Sequence, residues 1–82
     1  MAQFHLANQL RVGPYLLSVG RLVDDAVDDV PLLQAAGAVL FPVGTASVDA
    51  VADRITRERA RRGISEAEAE ALMLSTIAVA NA

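Results

Sequence analysis

The chain has no cysteine, no lysine and no tryptophan, one histidine (His5), one tyrosine (Tyr15) and two phenylalanines. Without cysteine there is no disulfide, thiolate nucleophile or sulfur ligand, so any fold must come from packing or from partners. Without lysine there is no Schiff-base amine, and a lone imidazole has no second His or Cys with which to hold a metal. Paired carboxylates remain the one formal route to acid–base chemistry. They need a concave site on the order of several hundred Å³, which a chain of 82 residues encloses with difficulty. The composition reads as a non-enzyme, with no catalytic, cofactor-binding or metal-ligating residue to name.

Positive charge is also scarce: seven arginines against ten acidic residues leave a net charge of −3. Nucleic-acid binders draw most of their affinity from a basic face, and neither a basic arm nor a set of stacking aromatics is present. No long hydrophobic run exists either. The longest nearly apolar stretch, Ala71 to Leu74 and Ile77 to Ala80, is broken by Ser75 and Thr76, and at about ten residues it is too short to span a bilayer. The N-terminus lacks the charged and apolar regions of a signal peptide, so the expectation is a cytoplasmic chain at synthesis. What the chain does have is apolar content, 54% of its residues. A domain this small buries only about 60% of the surface its unfolded chain exposes, so its own core is expected to be marginal and association is the first function to consider.

The first third is punctuated by glycine and proline: Leu10-Arg11-Val12, Gly13-Pro14, Tyr15-Leu16-Leu17-Ser18-Val19, Gly20, then Arg21-Leu22-Val23. Two β-rich runs split by Gly-Pro predict a hairpin or bent strand pair, with Pro14 at the turn or an edge because it cannot donate a ladder hydrogen bond. Asp29 suits the cap of a short helix with Pro31 in its first turn, stopped by Gly37. Residues 38–43 read as a short buried strand ended by Pro42, and Gly44-Thr45 as a turn. Ser47 is placed as the N-cap of a second helix, with Asp49 and Asp53 near its positive end and Arg57, Arg59, Arg61 and Arg62 near its negative end before Gly63 stops it. Its apolar face is Val48, Val51, Ala52 and Ile55. Ser65-Glu66-Ala67-Glu68 is a capping-box pattern, so a third helix begins there. That helix carries Leu72, Met73, Leu74, Ile77 and Val79 around more than one face, more than one neighbouring element needs.

Three local patterns have chemical readings. Asp24-Asp25-Ala26-Val27-Asp28-Asp29 contains a DDxxD string, which holds magnesium diphosphate in isoprenoid-type enzymes; the helical cavity and second acidic motif of those enzymes are absent, so a solvated acidic turn or contact surface is favoured. Five of the seven basic residues fall between Arg54 and Arg62, against one acid, Glu58. They read as a solvated helix end or as a surface that pairs with the acidic turn, within a chain or between chains; in the second case the segregation is a head-to-tail device that sets register more than affinity. Gly44-Thr45 stands where a helix N-terminus could receive a phosphate, without the glycine-rich loop or lysine of known phosphate cradles. His5, beside Phe4 and Leu6, reads as an ordinary N-terminal contact.

Two family resemblances follow from these strings. Leu10-Arg11-Val12-Gly13-Pro14, Val19-Gly20-Arg21-Leu22-Val23-Asp24-Asp25 and Leu32-Leu33-Gln34-Ala35-Ala36-Gly37-Ala38-Val39-Leu40 resemble small accessory virion proteins of tailed bacteriophages, in which a glycine-bounded extended segment and acidic turn precede a short helix ending in AAGAVL. The resemblance covers about the first half of the chain and implies a many-copy structural role on the capsid or head-to-tail region, with no catalytic site. Leu33 to Thr45 is also similar to the last strand and turn of the cobalamin-binding domain of acyl-CoA mutases. The chain has Pro-Val-Gly-Thr where that family has Pro-Gly-Thr and lacks the DxHxxG string that supplies the cobalt ligand, so no cofactor carries over.

The expected fold is a small single α+β domain over residues 1–82: a candidate flexible arm at 1–9, a β-rich part with a short helix at 10–43, and a helical part at 47–82. It holds an N-terminal hairpin or strand pair, a short helix, one further strand and two C-terminal helices. The expected function is structural: a multi-copy virion component working through protein–protein contacts. The surfaces expected to carry those contacts are Leu72, Met73, Leu74, Ile77 and Val79 on the last helix, Asp24, Asp25, Asp28 and Asp29 on the acidic turn, and Arg57, Arg61 and Arg62 on the basic helix end. The expected partners are other copies and a larger structural protein such as a capsid protein, in the virion, with no membrane and no nucleic acid. The alternative is a small ligand-binding or regulatory module at Gly44-Thr45, or a remnant of a cobalamin-type domain.

Overall fold

A computed structural model describes all 82 residues. Its elements run β1 (Gln3–Leu6), β2 (Leu10–Val12), β3 (Tyr15–Leu17), β4 (Leu22–Asp24), α1 (Val30–Ala35), β5 (Leu40–Pro42), α2 (Ala46–Ala60) and α3 (Glu66–Ala80). The α+β class, the bent strand pair, the short helix, the later strand and the two C-terminal helices all follow the sequence expectation. The N-terminal residues do not: β1 is the middle strand of an antiparallel sheet of order β4-β1-β5, and residues 1–9 are no arm. The sequence signal is weak because β1 is only four residues long and one of its two faces carries polar residues, Gln3 and His5.

β2 and β3 form a separate two-stranded ladder, yet Leu10↔Leu17 continues the same register as Gln3↔Asp24. The first 24 residues are thus one long antiparallel ribbon, folded back at Gly13-Pro14 and interrupted at residues 7–9 and 18–20. Gly13 has φ +57°, and a positive-φ glycine followed by a proline of fixed φ suits the tight turn of a two-residue hairpin.

Strand alternation gives the sheet two working faces. Leu6 and Val23, with Leu10 and Leu33, form one core, on which Phe4, Leu17, Val30 and Leu40 pack. On the opposite side Ala7, Val19, Val48, Ala52, Ile55, Ala69, Met73 and Ile77 form a larger core beneath the α2–α3 pair, with Phe41 and Leu72 against it. The sheet is therefore the middle of three layers, and a sequence of this size closes two small cores instead of one.

Helix ends decide where the helices sit. Asp29 accepts from Leu32 N–H at 3.2 Å and caps α1, which ends with Gly37 at φ +105° and Ala38 N–H bonded back to Leu33 O at 2.9 Å. The end of α2 has the same pair of closing bonds, Arg62 N–H to Arg59 O and Gly63 N–H to Glu58 O. There the left-handed position falls on Arg62 at φ +56°, and Gly63 sits one residue too late to supply it. The N-cap of α2 is Thr45, with no side-chain bond, and Ser47 lies inside the helix. The start is set instead by the Asp49 carboxylate, which accepts from Gly44 N–H at 3.1 Å. At α3 the Ser65 hydroxyl oxygen accepts from Glu68 N–H at 3.1 Å as expected, but Ser65 O–H donates to the Glu68 carboxylate in place of the reciprocal backbone bond.

The two outer edges of the sheet are blunted. Pro42 on β5 has no N–H to offer, and on β4 the Asp24 N–H is taken by the Asp28 carboxylate at 3.0 Å while Asp24 O accepts from Val27 and Asp28 N–H. The acidic turn thus closes a strand edge that would otherwise template pairing with another chain.

Candidate functional site

His5 lies on the sheet face that α2 covers, flanked across the ladders by Leu22 and Phe41. It is the one polar residue among the buried set, 8% exposed. Its Nε2 is 2.8 Å from Asp49 Oδ1, joining the central strand to the first turn of α2. A carboxylate only accepts, so Nε2 carries a proton; Nδ1 is buried with no hydrogen-bond partner. The His5 hydrogen bond holds the Asp49 carboxyl below its ordinary value of 3.8; the Gly44 N–H and the positive potential of the imidazole act in the same direction, and desolvation opposes them.

Beside this pair a groove of about 410 Å³ runs between the ribbon and α2, with His5, Ser18, Arg21, Asp53, Thr56 and Arg59 contributing its polar lining. It is open to solvent, unlike the enclosed cavity that binds small molecules tightly. The turn at Gly44-Thr45 offers no phosphate cradle, because the Asp49 carboxylate itself occupies the Gly44 N–H. No three His, Asp or Glu side chains converge closely enough to hold an ion.

Where the ribbon's ladder is interrupted, the helices satisfy its backbone. Val19 N–H donates to Glu66 Oε2 at 3.1 Å, Val19 O accepts from Arg59 at 2.5 Å, and Gln9 N–H donates to Glu70 Oε1 at 3.0 Å. Arg59 and Glu66 also pair with each other at 2.7 Å. On the far side Asn8 bonds both Gly37 O and Val39 N–H. Sequence reading took Arg59 for one more cation on a solvated helix end; only the ladder break, invisible without the strand register, reveals its partner.

The residues expected at interfaces divide into three groups. Met73 and Ile77 point into the chain's own core and are closed to a partner, and Leu72 is half-buried against the same core. Leu74 and Val79 are exposed on the outer side of α3, with Ala67, Ala71 and Ala78 also outward. The acidic turn and the basic helix end stay apart: the two ion pairs of the chain are His5–Asp49 and Arg59–Glu66. Asp24, Asp25, Asp28 and Asp29 each accept backbone N–H groups and meet no cation, while Arg57, Arg61 and Arg62 are exposed without a carboxylate partner.

A second groove, of about 320 Å³, lies at the ribbon tip. Val12, Tyr15, Leu16, Leu17 and Leu33 give it an apolar floor, with Asp28 and Arg21 at its rim. Tyr15 and Leu16 are 68% and 53% exposed, and Val27 and Leu32, next in sequence to Asp28 and Leu33, are exposed as well. No family model, curated protein or solved structure matches this chain, so its own residues carry the functional argument.

Proposed function

We propose that the chain is a structural subunit of a larger protein assembly, present in many copies, of the kind that the likeness to accessory proteins of phage virions implies. The observation that carries this reading is the exposure of Tyr15 and Leu16 on the ribbon-tip groove, with Val27 and Leu32 exposed next in sequence to its Asp28 and Leu33, in a chain whose core is already closed beneath two sheet faces. Large apolar side chains gathered on one surface mark a contact for another macromolecule. Leu74 and Val79 give α3 a smaller outward apolar surface on the opposite layer, which suits a subunit with more than one neighbour. No helix of the chain is long and apolar enough to cross a membrane.

Light scattering on a sizing column, with thermal melts at several concentrations, tests the reading. Mass and melting temperature are expected to rise together with protein concentration, because association stabilises the folded state by mass action. A folded monomer with an invariant melting temperature would sink it. A second reading rests on the polar groove beside His5: a small-molecule module would gain melting temperature with its ligand at fixed protein concentration, and none with concentration alone.

A further inference from the structure

We infer that the partner of the ribbon-tip groove is the arginine-rich end of α2 on a second copy of this chain, so that copies join head to tail. The inference rests on the assembly reading above and names its contact. Its basis is charge complementarity left unused inside the chain. The groove carries one carboxylate, Asp28, at its rim; Asp24, Asp25 and Asp29 belong to the same turn but hold Gln3, Ala26, Ala2 and Leu32, and none of the four is paired with a cation. Arg21 at the same rim offsets one of those charges, and Arg11 projects from the hairpin beside Leu16, its cross-strand neighbour.

The opposing surface is Arg54, Arg57 and Arg61, spaced three and four residues apart along one stripe of α2, with Arg62 just beyond. All four are exposed, whereas Arg59 on the other side of the helix is committed to Glu66 and Val19. Arginine suits this groove in both its parts. Its aliphatic stem covers apolar floor while the guanidinium stays at the polar rim, and the plane of the guanidinium stacks on an exposed tyrosine ring such as Tyr15. A groove on one face and its complement on another make the contact heterologous, so it propagates into a ring or an open chain of copies and does not stop at a symmetric pair.

Two variants, one from each surface, test the contact: Tyr15→Ser with Leu16→Ser, and Arg57→Glu with Arg61→Glu. All four side chains are exposed, and circular dichroism checks that each variant folds. Sedimentation velocity on the wild-type chain is expected to show species beyond a dimer that grow with concentration, with association weakened about tenfold or more between low and high salt as screening sets in. Each variant alone is expected to be monomeric, because each has lost one side of the contact. Mixed together they are expected to form a one-to-one dimer, the intact arginine end of one seated in the intact groove of the other.

Wild-type association that survives both variants would overturn the inference and leave the assembly reading standing, with the outer face of α3 as the contact. Loss of association in both variants without complementation on mixing would also overturn it, in favour of a symmetric contact. A wild-type monomer at every concentration would remove the self-association on which it rests.

Discussion

Two residues illustrate how a single position departs from what its element prefers. Arg62 occupies the left-handed position that ends α2, at φ +56°, where a side-chain Cβ crowds the backbone by roughly 1 kcal/mol relative to glycine. Arg62→Gly is therefore expected to stabilise the chain by about 0.5–1 kcal/mol in a urea titration; a loss of stability would mean that the Arg62 side chain makes a contact of its own. Gly63→Ala is expected to change stability little: a Cβ there would stand 2.5 Å from Glu58 Oε2, the free end of a flexible side chain that can swing aside, and Gly63 does not need the left-handed conformation. The second residue is Asp49. Its carboxyl is held below 3.8 in the folded chain by the His5 hydrogen bond, so in acid the unfolded state binds the proton more readily than the folded state. The resulting stability is complete above the unfolded value and is lost as pH falls through the lowered folded value. Asp49→Asn keeps an acceptor for His5 but not the charge. The stability gap between wild type and this variant is expected to be constant above about pH 5 and to narrow progressively as pH falls below about 4, measured as urea midpoints across that range.

At the scale of elements, the interruption of the ribbon is the feature on which helix placement depends. Residues 7–9 and 18–20 cannot bond each other as ladder partners, and Glu66, Glu70 and Arg59 take over part of that bonding. Glu66→Ala would leave the half-buried Val19 N–H and the Arg59 guanidinium without their acceptor, an expected loss of about 1–2 kcal/mol. Glu66→Gln should recover part of it. Hydrogen exchange at Val19 reads the local effect directly and would be unchanged if the bond contributed nothing. The same break explains what the sequence made legible. The hairpin at Gly13-Pro14, the Asp29 and Ser65 caps and the buried stripe of α2 are local chemistry and could be read from neighbouring residues. The central place of β1, the role of Arg59 and Glu66, and the His5–Asp49 contact across 44 positions depend on long-range register, which no local pattern encodes. Met73 and Ile77 could not be told from Leu74 and Val79 because α3 is apolar nearly all the way round, and such a helix does not announce which stripe it buries.

For the whole molecule, the decisive consequence of the topology is that its first strand holds the layers together. β4 and β5 have no ladder partner other than β1, Leu6 is fully buried in one core, and Ala7, immediately after the strand, is fully buried in the other. Removing residues 1–6 would strip both edge strands of their hydrogen bonds and open both cores at once. The loss includes roughly 1.5–3 kcal/mol for the burial of Leu6 alone, in a domain whose total stability is on the order of 5–10 kcal/mol. The shortened chain is therefore expected to have no cooperative thermal transition, with the far-ultraviolet signal of α2 and α3 reduced because two helices of 15 residues each need their packed face to persist in water. Removal of Asn81 and Ala82, which follow the last turn of α3, is the matching control and should leave the transition in place. If instead the chain lacking residues 1–6 melted like the intact one, β1 would be an arm after all, and the three-layer account of how this chain closes its cores would fall with it.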